Sequence, residues 1–262
     1  MDIGPLYLEI ELLLWAGFIL FGSLLIVFRN WWITLVGLLG QYALLAVLMS
    51  WLPFLPPDMV LGPLAVNQIV LVKGVTALTV VIILAITVVS RRRLLQSDEQ
   101  ALDEITAARL RWAVRRAARR GEQERFSLAN YLLPLSALAV LVLATHALAV
   151  FYPVIRSPAM PVSAHWSYGA WGYVDLVWYW LGLSGLLIAL LAQEMQEVSV
   201  GLLLFLGSVD LLYTTLSQGV GLLAIALLSA VSILVALGTA YLAQIFYLRL
   251  RRWHLPAAED WE

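Results

Sequence analysis

The sequence predicts an all-α integral membrane protein with seven transmembrane helices. Of its 262 residues, 62% are hydrophobic and only 13% are charged, whereas a soluble domain is about half apolar and a quarter charged. The apolar residues come in continuous runs of about 20, the length that a helix needs to cross a bilayer. These runs lack the apolar/polar alternation of a transmembrane β-barrel, so helices are the predicted spanning elements.

Seven apolar runs are predicted to span the membrane. In chain order they are approximately Leu6–Phe28, Trp31–Leu52, Leu64–Ser90, Leu128–Tyr152, Val174–Gln193, Val198–Leu216 and a last run from the turn SQG to Arg249. The segment PFLPPDMVLGP between the second and third runs is too rich in proline to be helical. The N-terminal stretch MDIGPLYLEIELLLW has no basic segment, so the first run is expected to stay in the membrane and not to be a cleaved signal peptide.

The arginine positions predict the orientation. Ten of the fifteen arginines lie between Arg91 and Arg125, and three more follow the last span, namely Arg249, Arg251 and Arg252. Basic residues near span ends favour the cytoplasmic side. Placing both clusters inside gives a multi-pass protein of the cytoplasmic (inner) membrane, with its N-terminus outside and its C-terminus inside.

This orientation predicts two parallel three-helix repeats, because spans one to three and five to seven cross in the same directions. The repeats are joined by a cytoplasmic helix and one extra span, the fourth. The predicted domains are the first repeat, 1–90, an arginine-rich connector, 91–126, a linking span with an outer loop, 127–170, and the second repeat with a cytoplasmic tail, 171–262. Inverted repeats suit alternating-access transporters better, although parallel repeats also occur there.

The connector is predicted to be an amphipathic cytoplasmic helix. Ser97 and Gln100 have the spacing of a capping box, the arginines of 109–120 fill the last turns, and Gly121 can end the helix. The helix either lies on anionic lipid headgroups at Arg109–Arg120 or docks a soluble partner. Nucleic acid is set aside as a partner, because no aromatic platform or groove-reading motif accompanies the arginines.

Two charged residues are predicted deep inside the spans. Lys73, the only lysine, lies about ten residues into the third span, and Asp210 lies in the sixth. A charge in the bilayer usually faces protein and has a partner. Lys73 is either buried, where it could exchange protons, or snorkels to the outer interface. Asp210 is either functional or ion-paired, or it is neutral and hydrogen-bonded. Whether the two pair with each other or with neighbouring subunits stays open.

Weaker polar candidates accompany these two charges. Thr76 shares the Lys73 face of its helix, Thr214 shares the Asp210 face, and Gln41 lies in the second span. Hydroxyls on apolar helices are often ordinary packing groups. His146, near the outer end of the fourth span, is either an interfacial residue or a proton relay.

The chain offers no catalytic or metal-binding constellation. It contains no cysteine, which excludes iron–sulfur clusters and thiolate metal sites, and its three histidines are scattered. Neither a phosphate-binding loop nor a nucleophile triad occurs in the sequence. No metal site and no catalytic residue is therefore predicted.

The first three-helix unit resembles subunit K of complex I and the C subunit of multisubunit Na⁺/H⁺ antiporters. The resemblance depends on the link Arg29-Asn30 followed by WWITLVGLLGQY, and on the third-span run IVLVKGVTALTVVIIL with Lys73. Two such units joined through an extra helix resemble hydrogenase-4 component E, a subunit of group 4 hydrogenase complexes. The second unit, which begins near GLLIALLAQEMQE, follows the same rhythm.

The chain departs from the family pattern at two carboxylates. The second-helix glutamate of subunit K corresponds to a position near Leu39 in the first unit and near Asp210 in the second, so Asp210 can take its place. The third-helix carboxylate is missing from the seventh span, where Ser229 and Ser232 occupy that region.

The resemblance implies a non-catalytic subunit of a membrane oxidoreductase or ion-translocating complex, with no cofactor of its own. Its expected partners are antiporter-like membrane subunits and a soluble cytoplasmic arm. Lys73 and Asp210 would then contribute to proton or Na⁺ translocation and to assembly. Two alternatives remain: a purely structural scaffold subunit, and an autonomous secondary transporter, which helices broken by Gly or Pro would favour.

Overall fold

The computed structural model of the chain describes residues 4–28, 30–50, 59–61, 64–101, 128–154, 170–217 and 221–250. These residues form seven α-helices and one short β-hairpin. The elements are α1 Gly4–Val27, α2 Trp31–Ser50, β1 Met59–Leu61, β2 Leu64–Val66, α3 Gln68–Ala101, α4 Leu128–Phe151, α5 Ala170–Leu190, α6 Met195–Leu216 and α7 Leu222–Leu250. The predicted headgroup contacts of Arg109–Arg120 and the helix end at Gly121 lie outside the described residues.

Six of the seven helices are long and apolar enough to cross a membrane. Their apolar stretches are Trp31–Ser50, Gln68–Ser90, Leu132–Phe151, Tyr173–Leu190, Met195–Leu216 and Leu222–Phe246. In α1 the stretch found among the described residues is shorter, Leu13–Val27. The prediction of a helical membrane protein is confirmed at this level.

Asparagine side chains set the first residues of two helices. The Asn30 carboxamide oxygen accepts the Trp32 backbone N–H at 3.2 Å where α2 begins. The Asn67 oxygen accepts the Ile69 N–H at 3.0 Å where α3 begins. Each asparagine thereby satisfies one of the N–H groups that a helix leaves unpaired in its first turn.

The start predicted for the third span is wrong, whereas its end at Ser90 agrees with the apolar stretch Gln68–Ser90. Leu64, predicted to open the span, belongs to β2, which pairs antiparallel with β1, and the helix begins at Gln68. Apolar composition alone cannot distinguish a short strand from a helix. The helix also continues past Ser90 to Ala101, so Ser97 lies inside α3 and not at a new helix start. Arginine ends an apolar run, but it is a good helix former and does not end a helix.

The helices pack as two groups of three, α1–α2–α3 and α5–α6–α7. Within each group, consecutive helices are neighbours. Across the groups α1 contacts α5, α2 contacts α6, and α3 contacts α7. Helix α4 packs against α5 and α1 at the side of the bundle. Corresponding helices of the two groups therefore face each other, and side chains of α3 can meet those of α6 and α7.

Trp180 of α5 is the largest fully buried side chain of the apolar core among the described residues. Its side chain is fully buried and lies against Trp15 of α1, with ring centroids 5.8 Å apart in an edge-to-face arrangement. Gly22 of α1 leaves room for the indole, because a Cβ there would lie 2.4 Å from the Trp180 ring. This contact helps to hold α1 against α5.

Candidate functional site

Lys73 is the largest buried charged side chain among the described residues, with only 2% of its surface exposed. It lies five residues after the start of α3, which places it about 8 Å along the helix at 1.5 Å per residue. The sequence analysis placed it about ten residues into the span, so Lys73 lies nearer to the start of its helix than predicted. Lys73 does not use this shallow position to snorkel, because its ammonium group points to partners in the protein.

The Lys73 ammonium group forms an ion pair with Asp210 of α6 through the carboxylate oxygen Oδ2. It also donates a hydrogen bond to Ser229 Oγ of α7, at 3.0 Å. Asp210 and Ser229 are buried as well, with 6% and 3% exposed. Pairing offsets part of the free energy that both charges lose on leaving water. The question of the partner, which the sequence left open, is thereby answered: the two charges meet within one chain.

The polar residues lie at one depth in the bundle. Lys73 and Ser229 come five and seven residues after the starts of α3 and α7. Asp210 and Tyr42 come six and eight residues before the ends of α6 and α2. The connections from α2 to α3 and from α6 to α7 join these same ends. The cluster therefore lies about 8 to 12 Å below one face of the bundle.

Tyr42 of α2 is a member of this cluster that the sequence analysis missed. Its hydroxyl donates to the backbone carbonyl of Leu203 in α6, at 3.4 Å. The hydroxyl also lies beside the Ser232 side chain. The sequence could have indicated Tyr42, because a tyrosine hydroxyl in an apolar run needs a hydrogen-bond partner. Tyr42 ties α2, and with it the first helix group, to α6.

Thr76 and Thr214, predicted on the faces of the two charged residues, are both buried. The Thr76 hydroxyl donates to the Val72 carbonyl at 2.7 Å. The Thr214 hydroxyl donates to the Asp210 carbonyl at the same distance. Each hydroxyl is thus satisfied by its own helix, as is common for threonine in apolar helices. The two residues flank the ion pair without bonding to either charged group.

Gln41 and His146 lie away from the ion pair. The Gln41 amide nitrogen donates to the Phe18 carbonyl at 2.7 Å and ties α2 to α1. Its oxygen is buried and has no partner among the described residues. His146 is exposed on α4, the helix at the side of the bundle. Of the six predicted residues, the structure brings together Lys73, Asp210, Thr76 and Thr214.

Asp175 is a second buried carboxylate that the sequence analysis did not select. Its side chain in α5 is 1% exposed. The carboxylate accepts the Trp178 indole N–H at 2.9 Å and the Val154 backbone N–H at 3.3 Å. Because it falls at the second residue of the predicted fifth span, it resembled a solvated residue at a span end. Asp175 ties the end of α4 to α5.

Replacing Asp175 with alanine is expected to lower the free energy of unfolding by about 1–3 kcal/mol, because two N–H groups lose their acceptor in a buried place. The measurement is thermal unfolding of the purified chain in detergent. Asp175→Asn keeps an acceptor oxygen and serves as the matched variant, with a smaller expected loss. An unchanged unfolding temperature for Asp175→Ala would contradict this role.

No group of three His, Cys, Asp or Glu side chains in the described part of the chain is placed to hold a metal ion. Comparisons with protein-family models, curated proteins and solved structures find no match. The function is therefore inferred from the residues and geometry of the chain itself.

Proposed function

We propose that this protein is a membrane-arm subunit of an ion-translocating complex of the complex I or group 4 hydrogenase type, or of a related cation/proton antiporter. In this role the Lys73–Asp210 pair is its ion-handling group. The observation that carries the proposal is the buried ion pair itself, in which α3 meets α6 and α7 with Ser229 as a third partner. Intramembrane ionisable residues that face protein commonly mark ion or proton pathways.

The packing supports the duplicated three-helix unit that the resemblance implies. The first, second and third helices of one group contact the first, second and third helices of the other. Lys73 comes from the third helix of the first group and Asp210 from the second helix of the second group. The proposed arrangement has seven spans in the inner membrane, the N-terminus outside and the C-terminus inside.

An ion pair of this kind can couple proton movement to a change of charge. A proton that binds the Asp210 carboxylate removes the counter-charge of Lys73 and leaves an ammonium group without compensation in an apolar site. Electrostatic interactions are strong at low dielectric, so a charge that moves in a neighbouring subunit can shift this balance. The antiporter-like membrane subunits and the soluble arm are the proposed partners for such coupling.

A structural scaffold is the second candidate, and the same contact favours it. The pair joins helices of the two groups within one chain, where it can hold them together without any proton transfer. An autonomous transporter has less support, because α3, α6 and α7, which carry the cluster, run as unbroken helices. Broken helices at a central site are the usual feature of such transporters.

A charge-free double variant separates the two candidates. Lys73→Met with Asp210→Asn leaves no unpaired charge in the bundle, so the chain is expected to fold and assemble. Ion uptake into inverted vesicles of the producing cell should then fall at least about tenfold towards the level of a strain that lacks the chain, because one positioned proton-transfer group contributes at least that much.

The control for this experiment is Gly74→Ala, beside Lys73, because a Cβ there meets nothing within 4 Å. It should leave both the amount of chain in the membrane and the uptake unchanged. If the double variant keeps normal uptake at normal chain levels, the ion-handling role is wrong and the scaffold role stands.

A further inference from the structure

Buried polar groups continue from the ion pair along one face of α6. Gln196, Ser199 and Asp210 are exposed by only 2%, 1% and 6%. The carbonyl of Leu203, which accepts the Tyr42 hydroxyl, lies between them. These positions are separated by three, four and seven residues, the spacing that keeps side chains on one side of a helix. The fully buried Leu203 side chain therefore also lies on this side, between Ser199 and Asp210. The row runs about 21 Å along α6 from Gln196 to Asp210.

Helix α7 presents a matching row to the same seam. Ser229 and Ser232 are buried beside Lys73 and Tyr42. Further along α7, the Thr239 hydroxyl donates to Ser199 Oγ of α6 at 2.7 Å. The two rows therefore face each other, and we refer to these residues of α6 and α7 as the polar seam.

Two groups of the seam have unmet hydrogen-bonding capacity. Within the described part of the chain, neither the amide nitrogen nor the amide oxygen of Gln196 has a hydrogen-bond partner. The second carboxylate oxygen of the ion pair, Asp210 Oδ1, also has none. Buried polar atoms without protein partners are commonly satisfied by bound water. These atoms lie at the two ends of the seam.

The other face of the bundle is nearer to the ion pair, and buried isoleucines lie on that side of it. Ile69 lies one turn before Lys73 on α3, and Ile225 lies one turn before Ser229 on α7. Both isoleucines are fully buried. At the far end of the seam, Gln196 adjoins the short link before α6, where Leu191 is exposed. On the nearer side the Thr214 and Thr215 hydroxyls are also buried, but each donates to a carbonyl of its own helix. Among the described residues, the seam group with unmet hydrogen bonds apart from the ion pair is Gln196, which lies away from the nearer face.

We propose that the polar seam holds a file of water molecules, which brings protons to Asp210 from the Gln196 end of the bundle. This inference rests on the proposed function, since it assigns the route by which the ion pair is loaded. Water bound at Gln196, at the Ser199–Thr239 pair and at the Tyr42 level would complete the file. On the facing sides of α6 and α7, the buried apolar side chains between these levels are Leu203 and the small Ala236. The proposed file passes beside Leu203.

The loading step conserves protons and charge. The last water of the file gives a proton to Asp210 Oδ1, so that a new O–H bond forms on the carboxylate while one O–H bond of that water breaks. The water recovers a proton from its neighbour, and the net proton enters at the Gln196 end. Lys73 keeps its three protons and loses its counter-charge.

The absence of cysteine from the natural chain makes a clean accessibility test possible, because each single-cysteine variant carries one thiol. Ser199→Cys and Ser232→Cys place that thiol in the seam, and Thr239→Cys replaces either variant if it fails to fold. Silver ion, close to water in size, is added to right-side-out or inverted vesicles that contain the full chain. The chain is then purified, and the remaining free thiol is measured by alkylation under denaturing conditions.

Matched control variants give the background rate of thiol reaction and identify the two sides of the vesicle membrane. Ser208, replaced in the control Ser208→Cys, lies on α6 and is also buried, but its hydroxyl donates to the backbone carbonyl of Trp178 in α5, away from the seam. Leu191→Cys and Ser217→Cys mark the two exposed ends of the bundle. They show which vesicle preparation presents which side to the added silver ion.

The seam variants are expected to react at least tenfold faster than Ser208→Cys, and only from the side at which Leu191→Cys reacts. Rates equal to that of Ser208→Cys, or reaction from the Ser217 side, would overturn the inference. The thiol assay needs no ion translocation. If the seam thiols react but the Lys73→Met/Asp210→Asn variant keeps normal ion uptake, the proposed function is wrong. The hydrated seam is then still supported.

Discussion

Replacing Lys73 alone with methionine is expected to lower the free energy of unfolding by about 3–5 kcal/mol, the effect of removing one partner from a buried ion pair. The physical reason is that the Asp210 carboxylate remains buried without its positively charged partner. Asp210 is 6% exposed, and its other oxygen already lacks a partner among the described residues. Methionine fills much of the lysine volume, so the loss reports the charge and not a cavity.

The double variant Lys73→Met/Asp210→Asn is expected to recover most of this loss, because it leaves no buried charge. A double-mutant cycle that adds the single variant Asp210→Asn, measured by unfolding in detergent, isolates the interaction between the two side chains. The Gly74→Ala variant again serves as the control for a change on α3. Additive losses in the cycle would show that the two charges do not stabilise each other, against the observed contact.

Replacing Gly201 with leucine is expected to destabilise the chain by at least about 3 kcal/mol, at or beyond the upper end of the usual effect of overpacking. At this position α5 and α6 touch through their backbones. A Cβ on Gly201 would lie 2.6 Å from the Gly185 carbonyl oxygen and 2.7 Å from the Ala189 nitrogen. Neither atom can move without its helix, so the two helices must separate. Small residues at such contacts are the usual means of close helix packing in membranes.

The same substitution at Gly238 of α7 is the matched control, since a Cβ there meets nothing within 4 Å. Gly238→Leu is expected to leave stability unchanged or to raise it slightly, because glycine is a poor helix former. Thermal unfolding in detergent compares the two variants. Equal unfolding temperatures would show that the α5–α6 contact is less close than described.

The effect of Gly201→Leu should extend to the ion pair. Asp210 lies nine residues further along the same helix, and Lys73 reaches it from α3. Separating α6 from α5 shifts the carboxylate relative to the ammonium group. Close packing on one side of α6 therefore helps to place the charged residue that projects from its other side.

The sequence by itself determined the helices and the two intramembrane charges. A membrane span needs a long apolar run, which is a local property, so six apolar spanning helices could be predicted near their observed positions. Lys73 and Asp210 stood out for the same local reason, since charges are rare in such runs. Asn30 and Asn67 begin helices through contacts with residues only two positions away.

Only the tertiary structure decided how these residues meet. The bond between Lys73 and Asp210 joins positions 137 apart in the chain, and nothing in either apolar run specifies which helices pack together. The roles of Tyr42 and Asp175, and the exposed position of His146, depend on the same packing. The sequence analysis also missed the β-hairpin before α3 and the continuation of α3 through Ser97. Hydropathy indicates whether a segment prefers an apolar or an aqueous environment, and not which backbone conformation it adopts.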